Sequence, residues 1–276
     1  MSDNIRTIGM IGLGLIGGSF AYAFKEKGYL VYGLDKSTNA LSLSVDSSLF
    51  EGLTDSLDEF LDFPLDLIYI CIPVFSAIKL IKELGKRGIT TPITDASSTK
   101  ASLQSAADEY NINYCGGHPI AGKETSGFIH ADKNILKQSF HILTGKDNGL
   151  RKDIKDIHEM IGMRVIFMEA NKHDMIFALN SHMPHLIAFT LVELLNNTDK
   201  KSLDFSGAGF KDFTRIAASN PVMWSDIFAD NRANMVSLIN DYIYLLGNWK
   251  TLLEEENQDE IYDKISAISK IRRMLG

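Results

Sequence analysis

The sequence lacks several features that identify whole classes of protein. It contains only two cysteines, Cys71 and Cys115, and neither lies in a Cys-x-x-Cys or Cys/His spacing, so neither a disulfide framework nor a structural zinc site is expected. It also lacks the excess of basic residues that a nucleic-acid partner requires, because its net charge is −7. Its first residues lack the basic start and apolar core of a signal peptide, and no apolar run approaches the roughly 20 residues that span a bilayer. We therefore expect a cytoplasmic protein with no nucleic-acid or membrane partner.

The composition and patterning indicate an α/β protein with a sizeable core. Hydrophobic residues make up 45% of the chain and charged residues 23%, as in soluble globular proteins. In the first half, short apolar runs alternate with amphipathic stretches. Strands are predicted at 7–11, 30–34, 65–72, 91–94, 139–144 and 164–167, and helices at 15–27, 74–86, 98–110 and 150–160. Such alternation requires crossover connections, so we predict a mostly parallel sheet that is covered on both faces.

The pattern changes after about residue 170, where only helical periodicity continues. Helices are predicted at 172–196, 210–219, 221–253 and 258–274. Asn220 and Pro221 are typical of a helix start, with asparagine as the cap and proline at the first helical position. The boundary near residue 168 predicts a dinucleotide-binding domain over 1–168 and an all-α domain over 169–276.

A glycine loop directly follows the first predicted strand and opens the first predicted helix. Gly12, Gly14 and Gly17 have the G-x-G-x-x-G spacing that suits a tight turn, close backbone approach to a pyrophosphate and helix–strand packing. The N–H groups at the start of that helix, where Leu15 and Ile16 lie, can bind phosphate oxygens. The alternative is a glycine turn that binds nothing. We predict a Rossmann-like doubly wound sheet with a cofactor site at this loop.

An acidic residue ends the second predicted strand. Asp35 lies 23 residues after Gly12, where a carboxylate can accept hydrogen bonds from both hydroxyls of an adenine ribose and would repel a 2′-phosphate. We therefore expect NAD rather than NADP, although Lys36 follows immediately and would weaken that preference. Pro73, which closes the third long strand, is assigned to the same cofactor site. The alternative is that Asp35 serves only as a helix cap.

Three further segments are unusual. In 116–122, glycines surround His118 and hold its imidazole in a sharply turning loop, where a neutral histidine can act as a base at pH 7. The alternative is a histidine that only satisfies a hydrogen bond of the loop. In 181–185, Pro184 is expected to kink a helix or free its backbone groups. Two histidines of that segment share a helix face, but no third metal ligand accompanies them, so no metal site is predicted.

The third segment leads from Gly207 to Arg215. Arg215 lies one helical turn after Asp212, and a guanidinium held by a carboxylate can bind a substrate carboxylate in a forked geometry. The alternative is an ordinary surface ion pair, which contributes little.

Together these segments resemble the prephenate dehydrogenase family over nearly the whole chain. The resemblance is carried by GLGLIGGS at 12–19, DASSTK at 95–100, HPIAG at 118–122, SHMPH at 181–185, KDFTRIA at 211–217 and Pro221-x-x-Trp224. The chain departs from the family pattern at Ser97 and Thr99, where a glycine and a valine are usual. The resemblance implies oxidation of a cyclohexadienyl alcohol by a nicotinamide cofactor with loss of the ring carboxylate as CO₂. The product would be 4-hydroxyphenylpyruvate, on the route to tyrosine.

The resemblance also implies a role for each matching residue. His118 matches the histidine that deprotonates the ring hydroxyl, and Ser98 matches a serine that contacts that hydroxyl. Arg215 resembles the arginine that binds a substrate carboxylate, and His185 a second histidine on the substrate side. The remaining matches are Glu124, an acidic residue that pairs with the arginine at the pocket mouth, and Trp224, a pocket residue from this subunit or its partner. A helical domain rich in Met, Leu and Phe, together with the resemblance, predicts a homodimer.

Three alternatives remain open at this point. Arogenate, the amino analogue of prephenate, is a rival substrate. A β-hydroxyacid dehydrogenase of the same two-domain build would use a catalytic lysine, for which Lys172 is the candidate, but it leaves His118 and Arg215 unexplained. A non-catalytic NAD-binding redox sensor would need the cofactor site without His118 as a base.

Overall fold

The computed structural model describes residues 4–37, 40, 42, 48–123 and 125–275. The chain forms two compact units, Met1–Asn231 and Arg232–Gly276. The first unit contains all the described strands and the glycine loop, and the second is a pair of helices. The predicted boundary near residue 168 lies inside the first unit and stays a prediction.

A six-stranded parallel sheet forms the centre of the first unit. Its strands are β1 Thr7–Ile11, β2 Leu30–Leu34, β3 Gly52–Thr54, β4 Leu67–Ile70, β5 Ile93–Asp95 and β6 Tyr114–Cys115. They lie in the order β3-β2-β1-β4-β5-β6, and every neighbouring pair is parallel. This is the doubly wound order that the sequence predicts. The strand order reverses between β1 and β4, and ligands of such sheets bind beyond the carboxyl ends of the strands at that point.

Helices cover both faces of this sheet. They include α1 Leu15–Glu26, α2 Leu57–Leu61, α3 Val74–Lys86 and α4 Ala101–Glu109. Strand β4 shows how one strand serves two cores. Tyr69 is fully buried in one apolar cluster, whereas Ile68 and Ile70 are fully buried in the other. Successive side chains of a strand point to opposite faces, so burial on both faces explains the continuous apolar run.

A second, three-stranded sheet lies beside the first. It consists of β7 Gly117–Pro119, β8 Phe140–Leu143 and β9 Arg164–Phe167, with helix α5 Gly149–Met160 between the last two. Strand β7 is antiparallel to β8, and β8 is parallel to β9. The strands predicted at 139–144 and 164–167 therefore exist, but their expected place in the main sheet is wrong. They pair instead with the short strand that carries His118.

Every described element after residue 170 is helical, as predicted, but one predicted helix contains an irregular turn. Helix α6 Ala170–Phe177 passes through a π-helical turn, Ala178–His182, into helix α7 Met183–Thr198. Pro184 is the second residue of α7, two positions after the end of that turn. Proline has no N–H for the helical ladder, so the wider turn is the physical outcome of the disruption expected there.

The helical run Ala170–Thr198 corrects one expectation. It is 29 residues long and, by length and composition alone, apolar enough to cross a membrane, and only 22% of its most apolar window is buried. The expectation that no run approaches this length is therefore wrong. The expectation depended on unbroken apolar stretches of sequence. Polar residues such as Asn180 and Ser181 interrupt the apolar stretch here, but they do not end the helix. An exposed apolar face of this kind is typical of a protein or membrane interaction site.

The rest of the chain is divided more finely than predicted. Helix α8 Ala208–Thr214 passes into a 3₁₀ turn, Arg215–Ala218, so the helix predicted at 210–219 ends early. Helix α9 Pro221–Asp230 starts as expected, with the Asn220 side chain accepting from the first backbone N–H groups. The helix predicted at 221–253 is two helices, because α9 ends at Asp230, with Asn231 as its C-cap, and the next helix begins at Arg232. Helices α10 Arg232–Glu254 and α11 Gln258–Arg273 form the second unit.

Candidate active site

The three glycines of the loop after β1 have three different environments. Gly12 has a φ of +93°, and a Cβ on it would lie 2.5 Å from the carbonyl oxygen of Cys71. A Cβ on Gly17 would lie 1.9 Å from the carbonyl oxygen of Gly12. A Cβ on Gly14 would meet no atom within 4 Å, so this glycine faces open space. The first and third glycines are required by the fold, and the second leaves room for a ligand such as a pyrophosphate.

Asp35 connects the end of β2 to the glycine loop. Its Oδ2 accepts a hydrogen bond of 2.6 Å from the backbone N–H of Leu13, and its Oδ1 accepts one of 2.7 Å from Ser37. The carboxylate thus lies beside the loop, where an adenine ribose would be held. It is not a side-chain cap of α1, since the N-cap of that helix is Gly14 with no side-chain cap hydrogen bond, which leaves its positive N-terminal end open.

The remaining predicted cofactor residues lie on either side of the point where the strand order reverses. Leu15 and Ile16 are the first residues of α1, after β1. Pro73 caps the start of α3, after β4, and is exposed. Both segments therefore lie at the carboxyl ends of adjacent central strands, and the residues present fit a dinucleotide.

His118 lies on β7, with only 8% of its surface exposed. Its Nδ1 atom is 2.8 Å from Nε2 of His173, and its ring meets the Phe177 ring edge-on at 4.7 Å. Burial lowers the pKa of His118 well below its usual range, and the nearby His173 and Lys100 lower it further. The imidazole is therefore neutral at pH 7, which is the state in which it can accept a proton.

A buried ion pair holds the backbone next to His118. Lys100 is fully buried, contacts Asp95 through its ammonium group and donates a 2.6 Å hydrogen bond to the carbonyl oxygen of Gly117. Asp95 in turn accepts from the backbone N–H of Gly117 at 3.0 Å and from the Tyr114 hydroxyl at 2.7 Å. Burial lowers the pKa of Lys100, and the charge of Asp95 opposes that effect. Gly117 is thus bound on both of its backbone polar groups.

In the sequence, Ser98 lies between Asp95 and Lys100, the two members of this ion pair. The loop that carries it is fixed by a 2.8 Å hydrogen bond from the backbone N–H of Ser97 to Asp95, and its own side chain is half-buried. The loop is therefore held at the same place as the strand of His118. The role of Ser98 stays a prediction.

The second histidine segment forms an aromatic group with Trp224. The His185 ring stacks on Trp224 with 3.6 Å between centroids, and the His182 ring meets the same indole edge-on at 5.9 Å. Asn231 donates to Nδ1 of His182 at 3.1 Å and to the carbonyl oxygen of Asp174 at 2.8 Å. Burial lowers the pKa of His182 to about 4 and also lowers that of His185. Within the described residues, no group of three potential ligands could hold a metal ion.

The contacts described above for His118, His185 and Trp224 do not include three other predicted residues, Arg215, Glu124 and Lys172. Arg215 begins the 3₁₀ turn after α8 and is exposed, and that turn packs against α7, which carries His185. Glu124 lies outside the described residues. Lys172 is exposed, and its backbone N–H donates to Glu169 at the start of α6.

Sequence analysis missed two residues that are linked to the predicted catalytic group by hydrogen bonds. His173 bonds to His118, and Asp174 bonds to His173. The available signal was an adjacent His-Asp pair at the start of a helix, which is common and names no partner. Its meaning depends on contacts 55 residues away along the chain.

Comparison with known proteins identifies one family over most of the chain. The family profile "Prephenate dehydrogenase, nucleotide-binding domain" matches residues 20–167, and "Prephenate dehydrogenase, dimerization domain" matches residues 169–267. The chain is 30% identical to a prephenate dehydrogenase of Bacillus subtilis over 95% of its length and 74% of that relative. It is also 30% identical to a cyclohexadienyl dehydrogenase of Zymomonas mobilis, over 98% of this chain and 96% of the relative.

A solved structure extends the comparison to the fold. The prephenate dehydrogenase of Aquifex aeolicus, in complex with hydroxyphenyl propionate and NAD⁺, superposes with a TM-score of 0.91 at 32% identity and covers 99% of both chains. The nucleotide-binding profile and this structure agree with the doubly wound sheet that is followed by helices. This chain belongs to the prephenate dehydrogenase family.

Proposed function

We propose that this chain oxidises prephenate with NAD⁺ and releases the ring carboxylate as CO₂, forming 4-hydroxyphenylpyruvate in tyrosine biosynthesis. The observation that carries the proposal is the buried, neutral imidazole of His118 in a chain of this family. Removal of a hydroxyl proton requires a base that is unprotonated at the working pH, and His118 meets that requirement.

The cofactor proposal depends on the glycine loop and Asp35. When bound, NAD⁺ supplies the hydride acceptor. Gly14 leaves space for the pyrophosphate, and the open N-terminus of α1 attracts its charge. Asp35 would receive the ribose hydroxyls and repel a 2′-phosphate, so NAD⁺ is favoured over NADP⁺.

The substrate side is assigned to His118 and Ser98 together with residues of the helical part of the chain. His118 takes the proton of the ring hydroxyl, and Ser98 contacts the same oxygen. Arg215 binds a substrate carboxylate through its guanidinium, with Glu124 as its acidic partner at the pocket mouth. His185 and Trp224, which stack on each other, line the substrate pocket.

The reaction itself supplies much of its driving force. Loss of the carboxylate as the hydride leaves makes the ring aromatic. The side chains therefore have to align the substrate and accept one proton, and alignment alone can contribute several kcal/mol, up to about 7–11 kcal/mol in well-oriented systems.

We also propose that residues 1–168 form the cofactor domain and 169–276 the substrate and dimerisation domain of a cytoplasmic homodimer. The two family profiles meet beside residue 168, and the second describes a dimerisation domain. Large apolar side chains are exposed on its helices, including Leu194 at 63%, Ile243 at 60% and Tyr244 at 70%. A second copy of the chain would cover such surfaces.

Initial rates with prephenate and arogenate, each with NAD⁺ and NADP⁺, test the catalytic proposal. We expect the highest kcat/KM for prephenate with NAD⁺. A higher value for arogenate would identify the amino analogue as the substrate. Binding of NAD⁺ without turnover of either acid would instead favour a redox sensor. If Lys172→Met, rather than His118→Asn, abolished turnover, the β-hydroxyacid mechanism would be supported.

Sedimentation velocity tests the dimer. We expect the wild-type chain to sediment as a dimer at micromolar concentration. Ile243→Glu should shift it toward monomer, because the new charge would be buried without a partner in the interface. The control is Lys152→Glu, which places the same residue on the exposed face of α5, outside the dimerisation profile. A monomeric wild-type chain, or equal behaviour of both variants, would contradict the proposal.

A further inference from the structure

Three buried side chains form a continuous hydrogen-bonded line that ends at His118. Asp174 Oδ1 lies 2.8 Å from Nδ1 of His173, and Nε2 of His173 lies 2.8 Å from Nδ1 of His118. All three residues are less than 9% exposed, and His173 is fully buried. We call this line the His118–His173–Asp174 relay.

The direction of every hydrogen bond in the relay follows from Asp174. Its Oδ1 accepts from the backbone N–H of Lys100 at 2.8 Å, and its Oδ2 accepts from that of Ala101 at 2.9 Å. These donors belong to the first turn of α4, whose positive end favours a carboxylate. Asp174 is therefore bound on both oxygens as an acceptor.

The remaining assignments follow from the chemistry of neutral imidazole, which has one donor and one acceptor nitrogen. Because Asp174 accepts, Nδ1 of His173 carries the hydrogen and donates to it, which leaves Nε2 of His173 as an acceptor. Because Nε2 of His173 accepts, Nδ1 of His118 carries the hydrogen and donates to it. The Nε2 atom of His118 is then left with its lone pair.

We propose that His173 and Asp174 are positioning residues that hold His118 in the tautomer whose Nε2 accepts the substrate proton. This inference rests on the proposed function of His118 as the base. When the proton moves from the ring hydroxyl to Nε2, the Nδ1–H of His118 remains bonded to His173, and the carboxylate at the far end stabilises the new positive charge.

The middle imidazole has a specific consequence. A carboxylate bonded directly to His118 would favour its charged form and raise its pKa. Because His173 lies between His118 and Asp174, the orientation of the His118 ring is kept, while the negative charge of Asp174 lies one imidazole ring further from it. The other groups near the relay are the Lys100–Asp95 ion pair, His182 through Asn231, and the apolar Phe177. Burial also lowers the pKa of His173, although its hydrogen bond to Asp174 opposes this effect.

Substitutions at His173 separate positioning from packing. His173→Phe keeps an aromatic ring but removes both hydrogen bonds, and we expect kcat for prephenate to fall by about 10²-fold, as for a misplaced catalytic group. KM should change little. His173→Gln offers an oxygen to His118 and an N–H to Asp174, and it should recover most of that loss. His158→Gln is the control, because it alters a buried histidine in the sheet core that bonds to Tyr69.

The tautomer itself gives a readout that needs no turnover. In ¹⁵N-labelled protein, long-range ¹H–¹⁵N correlations distinguish the protonated from the unprotonated ring nitrogen of His118. We expect protonation at Nδ1 in the wild type and in His158→Gln, and a mixture of tautomers in His173→Phe. Asp174→Asn should also produce a mixture, since an amide can donate as well as accept.

Two results would overturn the inference. One is protonation of wild-type His118 at Nε2. The other is a His173→Phe enzyme whose kcat and pH profile match those of the wild type. Lack of prephenate turnover by the wild type would contradict the proposed function instead, and the NMR measurement would still decide the tautomer.

Discussion

At the scale of single residues, burial determines what His118 can do. Its imidazole is 8% exposed, and the charged form of a buried imidazole loses hydration that the protein does not replace. The pKa therefore lies below 6.5, and the base stays neutral over a wider pH range than an exposed histidine would. A weaker base is tolerable here, because formation of the aromatic ring drives the reaction and the ring oxygen regains its proton in the product, 4-hydroxyphenylpyruvate.

Replacement of His118 tests its role as the base. We expect His118→Asn to lower kcat by about 10²–10⁴-fold, the usual contribution of a general base, with little change in KM. In the wild type, kcat should be lost only as the pH falls through the lowered pKa, so its acid limb should lie below pH 6.5. Steady-state rates from pH 5 to 9 provide both measurements. Undiminished turnover in the variant would exclude His118 as the base.

Arg215 is expected to act on binding rather than on proton transfer. Arg215→Ala should raise KM for prephenate by roughly tenfold to a hundredfold, because a hydrogen bond to a charged group contributes about 1.5–3 kcal/mol. Arg215→Lys keeps the positive charge but loses the forked guanidinium, so its KM for prephenate should lie between those of the wild type and Arg215→Ala. The KM for NAD⁺ serves as the internal control. An unchanged KM for prephenate in Arg215→Ala would remove this residue from the substrate site.

At the scale of elements, the turn from β1 into α1 separates folding from binding. Gly17 is needed because the helix approaches the carbonyl oxygen of Gly12, whereas Gly14 has no neighbour within 4 Å of a Cβ. The absence of a side chain therefore has a different cause at each of these two glycines. Gly17 is required by helix–strand packing, and Gly14 by the space that the ligand needs.

Alanine substitutions at these two glycines should affect different properties, stability at Gly17 and NAD⁺ binding at Gly14. Gly17→Ala should destabilise the fold by about 1–3 kcal/mol or more, since its Cβ would collide with backbone. Gly14→Ala should leave stability within about 0.5 kcal/mol of the wild type and raise the dissociation constant for NAD⁺ about tenfold or more. Thermal unfolding and calorimetric titration with NAD⁺ measure the two effects. Similar stability losses in both variants would contradict this assignment.

Periodicity in the sequence predicts the long elements and fails for the short ones. The runs at 7–11, 30–34 and 164–167 match strands residue for residue. Strands β6 and β7, of two and three residues, are too short to show alternation, and β7 owes its existence to pairing with β8. Two strands of the second sheet, β8 and β9, are predicted, but β7 and the pairing of the three strands into a separate sheet could not be.

The site shows the same division between local and distant information. Gly12, Asp35 and His118 have recognisable local contexts and could be identified from the sequence. His173 and Asn231 could not, because their partners lie 55 and 49 or 57 residues away along the chain. Their importance exists only in the folded arrangement.

At the scale of the whole molecule, neutral buried histidines link folding to pH. Six of the seven histidines have a pKa lowered by burial: His118, His141, His158, His173, His182 and His185. Two of them, His158 and His182, have folded pKa values of about 4. Between pH 4 and 6.5 the unfolded chain therefore binds more protons at these positions than the folded one.

The free energy of unfolding should consequently fall as the pH falls below 6.5. Each of these histidines contributes up to about 1.4 kcal/mol per pH unit until its folded pKa is reached, and the contribution is complete above pH 6.5. Urea unfolding at pH 8, 6.5, 5.5 and 4.5 measures the slope. His158→Gln should reduce that slope by about one histidine's share, whereas a free energy independent of pH in this range would contradict the linkage.

Asp174 gives two distant parts of the chain a common opening event. The backbone amides of Lys100 and Ala101 are bonded to a side chain of α6 rather than to a carbonyl of their own helix. These amides become exposed to deuterium exchange when α6 opens, even if α4 remains intact. In hydrogen-exchange terms, the start of α4 and helix α6 form one cooperative unit, although about 70 residues separate them.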